Sequence, residues 1–138
     1  MLGKIIKSLI LTAFILVPSI SQAAEVPPGR WWRVPHFSDA LAITDQQKDE
    51  LDKLFDESRN RLADLKKELE REKRDLDSMI EQKDLNEHAT VAQMKKLEST
   101  RTKLAATRFS YSLEVRKLLG HDCFTQLRIL YRTWHGTR

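Results

Sequence analysis

The sequence has little of what breaks, staples or crosses a structure. One cysteine, Cys123, stands in 138 residues, so no internal disulfide can form. Cys123 is then buried, paired between chains or free, and burial is the ordinary state of a lone cysteine. Proline is absent after Pro35, and no glycine lies between Gly29 and Gly120. A stretch with so few breakers and so much Lys, Glu, Leu, Arg and Asp is helical. The one long apolar run, about Leu9 to Val17, falls short of the roughly 20 residues that span a bilayer. There is no glycine-rich phosphate loop and no G-x-S-x-G nucleophile elbow, which removes two large enzyme classes. The carboxylates are spread along helix faces, and a thin helical chain has no desolvated pocket in which to tune them. The chain is read as a non-enzyme.

What is present begins with a leader. Lys4 and Lys7 precede the apolar run, Pro18 ends it, and Ser21-Gln22-Ala23 places small residues at −3 and −1 of a cut after Ala23. That is the pattern of a cleaved signal peptide over 1–23, with export out of the cytoplasm. Removing it takes away two lysines and no acids, so the net charge of +4 falls to about +2. The mature chain is no polycation, and together with export this excludes nucleic acid as a partner.

The domain layout that follows is an N-terminal extended aromatic segment with a short helix at 24–43 and a helical hairpin domain at 44–138. In "ITDQQ", Ile43 to Gln47, Thr44 is the N-cap and Gln47 completes a capping box. Asp45, Asp49 and Glu50 suit the positive end of the helix dipole. Leu51, Leu54, Phe55, Leu62, Leu65, Leu69, Leu76, Met79 and Ile80 then form one stripe to about Gln82, a helix on the order of 58 Å long. Asn86 or Asp84 caps a second helix over 87–119, with a weaker stripe through Val91, Met94, Leu97, Leu104, Tyr111, Val115 and Leu118. Gly120 ends it, and a third helix follows over about 121–134. "HFSDALA", before Thr44, forms one or two short helical turns.

Charge predicts how the long helices pair. Residues 24–100 carry 14 basic and 18 acidic side chains, and residues 101–138 carry eight and two. The acidic excess peaks at the start of the first long helix and the basic excess lies at the end of the second. An antiparallel hairpin sets these regions side by side. One face of such a hairpin stays apolar unless something covers it, which predicts a homodimer with the second copy packed antiparallel.

Two groups of residues carry candidate chemistry. His36, His88, His121, Cys123 and His135 are candidate metal ligands, and "HDC" at 121–123 places donors suited to Zn or Cu together. The plainer alternative makes His121 and Asp122 cap residues and His88 a first-turn polar residue. The second group is basic and aromatic: Arg101, Arg108, Phe109, Tyr111 and Arg116. These suit unfolded polypeptide, with charge for steering and rings for exposed apolar side chains. Equally, the arginines complement the acidic start of the first long helix. Trp31 and Trp32 sit in "PPGRWWRVP", which Pro27, Pro28 and Pro35 hold extended as a strap. The strap covers an apolar face or a subunit contact, or it offers its indoles to clients.

The leader, the aromatic segment, the "ITDQQ" cap and the hairpin resemble the periplasmic Spy/CpxP group. That group includes ZraP-like and CnrX-like heavy-metal resistance proteins. Its hallmark is an L-T-x-x-Q motif, usually present twice. Ile43-Thr44-Asp45-Gln46-Gln47 matches with Ile for Leu; the second copy would fall at Leu119-Gly120-His121-Asp122-Cys123, with Gly for Thr and Cys for Gln. The resemblance implies an all-helical, cradle-shaped homodimer that acts as an ATP-independent chaperone on misfolded envelope proteins, with no cofactor required. The alternative it implies is a sensor or buffer of Zn, Cu, Ni or Co, with a membrane sensor kinase as a further partner. Only His36 lies near the N-terminus and there is no histidine-rich tract, which favours the chaperone branch.

Overall fold

The computed structural model describes residues 26–136; the leader proposed for 1–23 lies outside them. A 3-10 turn at Trp31–Arg33 is followed by α1 (Pro35–Ser38), α2 (Asp45–Glu81), α3 (Glu87–Leu119) and α4 (His121–Gly136). No strand occurs among the described residues, and none of their helices is long and apolar enough to cross a membrane.

α2 starts where its cap dictates. Thr44 Oγ1 accepts from the Gln47 N–H at 3.1 Å, and the Thr44 N–H donates to Gln47 Oε1 at 3.0 Å. Two of the otherwise unpaired donors at the helix start are satisfied reciprocally. Asn86 Oδ1 accepts from the Ala89 N–H at 3.0 Å, so of the two candidate caps for α3 it is Asn86 that serves. The exposed residues between Glu81 and Glu87 turn the chain back. Phe55 then meets Tyr111 at 6.5 Å between rings, and Gln93 Nε2 donates to the Glu72 carbonyl at 3.0 Å. Contacts that move up one helix as they move down the other define an antiparallel pair.

Gly120 alone separates α3 from α4, with φ +81° and its N–H on the Arg116 carbonyl at 3.1 Å. That φ favours glycine. A threonine cap adopts an extended backbone with negative φ, as Thr44 does, and the left-handed φ at Gly120 does not suit it, which accounts for the altered second motif. Asp122 in the first turn of α4 suits its dipole.

The core sits at the open end of the hairpin. Trp31, Trp32, Phe37, Ile43, Leu51, Val115, Leu119, Phe124 and Leu127 form one buried cluster. Trp31 stands edge-on to Trp32 at 5.4 Å and to Phe37 at 6.4 Å. Beyond this end the molecule is two helices thick, and α2 buries fully only Leu51 and Glu72 along its whole length.

Two expectations need correction. Pro35 does not extend the strap: it is the first residue of α1, where its missing N–H is one the helix would not use. The α3 stripe is not one line. Leu97, Leu104, Val115 and Leu119 are buried, but Val91 and Met94 are exposed, and Thr100 takes a buried place in the seam. α3 carries apolar residues on two faces, so its inner face was hard to pick out by spacing.

Candidate functional site

The strap is fixed to α2 by one carboxylate. Asp52 Oδ1 accepts from Arg30 at 2.5 Å and from Trp32 Nε1 at 2.9 Å, while Oδ2 accepts from Arg33. Hydrogen bonding from Arg33, then from Trp32 and Arg30, holds the Asp52 carboxyl down to about 2. Arg30 also reaches Asp56 at 2.8 Å and lies 5.1 Å over the Phe55 ring, a cation–π contact. The acidic start of α2 is thus answered in part by the strap's own arginines. Among the described residues no acidic side chain pairs with Arg108 or Arg116.

A groove of about 420 Å³ opens where the strap crosses the hairpin, lined by Val26–Gly29, by Phe55, Ser58 and Leu62 of α2, by Arg108, Tyr111 and Ser112 of α3, and by Tyr131 of α4. A second hollow of about 310 Å³ shares Phe55, Ser58, Leu62 and Tyr111 and runs on to Arg59, Ala63 and Lys66. The combined channel has an apolar floor and a rim of Arg59, Lys66 and Arg108, with no carboxylate in its lining. The opposite face differs: Glu50, Glu57 and Glu114 balance Lys53, Arg61 and Lys117 there. Burial pushes the Tyr111 hydroxyl up to about 12. It therefore stays a donor, and its oxygen has no partner.

The second apolar line of α3 lies on its outer side: Phe109 and Leu113 stand about 200° round the helix from seam residue Tyr111, next to groove-lining Arg108 and Ser112 in sequence. Phe109 is 53% exposed and Leu113 42%; Val91 (48%) and Met94 (42%) extend the line towards the turn.

The proposed client residues therefore fall into three groups. Arg108 and Tyr111 line the groove, and Phe109 stands exposed on the outer side of α3. Arg101 is exposed and bonds Glu98 at 2.5 Å, and Arg116 is half-buried near the core end. Trp31 and Trp32, at 1% and 0% exposure, present no surface. Of the alternatives open for them, the structure places both rings as cover over the helices.

The candidate metal ligands are scattered. His88 stands exposed in the first turn of α3, the length of that helix away from His121 and Cys123. His121 Nδ1 is 2.7 Å from Asp122 Oδ1, and Cys123 is half-buried, with burial raising its thiol. His36 lies 6.4 Å from the Trp134 ring, and His135 stands edge-on to Tyr131 at 4.4 Å. Among the described residues no three His, Cys, Asp or Glu side chains gather to hold a metal ion.

Sequence alone gives no reason to place Asp52 or Leu62 at the site. Leu62 was visible as stripe, but nothing in its spacing says that it stays half open. Asp52 was one acid among many, and only the folded strap marks it. A family model described as heavy-metal resistance matches residues 7–123. No curated protein and no solved structure matches the chain.

Proposed function

This chain belongs to the heavy-metal resistance family, and from that premise we propose that it is an envelope-protective chaperone that holds unfolded polypeptide on the strap side of its hairpin. The observation that carries this reading is the basic-rimmed apolar groove, whose lining holds no carboxylate, with Phe109 and Leu113 exposed on the outer side of α3. Apolar side chains of a client lie on Phe55, Leu62 and Phe109, and Arg59, Lys66 and Arg108 attract its acidic residues. Shallow contacts of this kind hold many sequences weakly, as a protective protein requires. The activity needs no cofactor and no catalysis. It belongs in the periplasm after loss of residues 1–23, and a second copy of the chain, as a homodimer, extends the surface.

The test is light scattering of a denatured protein diluted with and without the mature chain. Suppressed aggregation at stoichiometric ratios is expected, and unchanged aggregation across several clients would overturn the proposal. The family's description favours a second reading, a metal sensor or buffer. Calorimetry with Zn²⁺, Cu²⁺, Ni²⁺ and Co²⁺ tests it, and binding tighter than about 10 μM, near −7 kcal/mol, would support it.

A further inference from the structure

Glu72 is the anomaly of the hairpin. It occupies a seam position of α2, facing α3, and it is 0% exposed. Neither carboxylate oxygen has a hydrogen-bond partner. The nearest cation, Lys96 Nζ, stands 3.9 Å away on a side chain that is itself 58% exposed. Gln93, the neutral donor close by, is engaged with the Glu72 backbone carbonyl. A carboxylate held out of water without hydrogen bonds strongly disfavours the closed state that buries it. Opening the seam restores its hydration. What opposes that opening is a thin seam: Leu97, Thr100 and Leu104 of α3 are buried in it, but α2 fully buries only Glu72 beyond Leu51. The strap, Phe37 and α4 all lie at the other end.

We propose that Glu72 is a built-in weak point at which the turn-side part of the hairpin opens as a local unit, baring its apolar seam to a client while the core end stays folded. The open state adds Leu65, Leu69 and Leu97 to the apolar surface. This rests on the chaperone reading and deepens it: the groove is the first contact and the seam the reserve. Segments with few buried apolar contacts open below the global unfolding free energy.

Hydrogen exchange read by mass spectrometry on the mature chain tests the gate without any client. Amides of 65–80 and 90–104 should exchange at least about tenfold faster than those of 112–127. Glu72→Leu should slow the first two segments about tenfold and leave the third unchanged. Lys96→Met, which removes the cation 3.9 Å from Glu72, should speed them. Uniform exchange, or segments indifferent to Glu72→Leu, would overturn the gate. Aggregation assays on the same proteins test its use. Suppression should weaken with Glu72→Leu; suppression unchanged despite slowed exchange would overturn the seam as a client surface and leave the groove reading standing. Failure of the unmodified chain to suppress aggregation would sink that reading, and exchange alone would then decide whether the hairpin opens.

Discussion

Asp52 gathers three donors from a strap about twenty residues earlier, and one of them, the Trp32 indole N–H, lies in the core. Asp52→Ala leaves that N–H buried without an acceptor, at a cost of about 1–3 kcal/mol. The exposed arginines add little to this, because water and salt screen them. Chemical denaturation should show the loss as a lower midpoint with an unchanged slope. The same carboxylate predicts an acid dependence. Its folded value of about 2 lies below the 3.8 of a free aspartate, so the folded state releases the proton more readily. The stabilisation is complete above about pH 4 and fades as the pH falls towards 2. Thermal melts across that window should show Asp52→Asn losing less stability than the unmodified chain. Gly120 gives a backbone counterpart. An added Cβ there meets nothing within 4 Å, yet φ is +81°, so Gly120→Ala should cost about 1–2 kcal/mol through strain alone. Calorimetric unfolding reads it directly.

Among the elements, α2 and α3 behave differently. The start of α2 rests on a capping box, and Thr44→Ala should cost about 1 kcal/mol, measurable as a lower melting temperature. Both the box and the stripe of α2 were legible in the sequence, because caps and spacing are local signals. The boundaries of α3 were legible too, from Asn86 and Gly120. Its orientation was not. Val91 and Met94 fit the same spacing as Leu97 and Leu104, and only packing against α2 decides which line turns inward. Polar Thr100 taking a buried place shows why an apolar count misjudges this seam. The outer line is also where function separates from stability. Phe109→Ser with Leu113→Ser changes two half-exposed side chains outside the buried cluster, so stability should move by less than about 1 kcal/mol. Aggregation suppression by that protein should nevertheless fall several-fold in the same light-scattering assay.

At the scale of the molecule, the fold is a lever with its weight at one end. Trp31, Trp32 and Phe37 close the open end of the hairpin against Leu51, Val115 and Leu127. Trp31→Ala with Trp32→Ala should cost more than about 5 kcal/mol, enough to unfold that end, which circular dichroism would report as lost helicity. The strap's place over an apolar face followed from the hairpin's need for cover. Its attachment through Asp52, and the groove it makes with Tyr131, depended on three distant segments meeting and left no trace in local spacing. The two faces that result are unequal. One is apolar with a basic rim, and the other balances three acids against three bases. The most direct measurement places a photo-crosslinking side chain at Arg59 or Ala63 on the first face, and at Arg61 or Ser110 on the second. With an unfolded client present, the proposed function predicts crosslinks from Arg59 and Ala63 and few from the other two positions. Equal yields from both faces, or yields favouring Arg61 and Ser110, would contradict it.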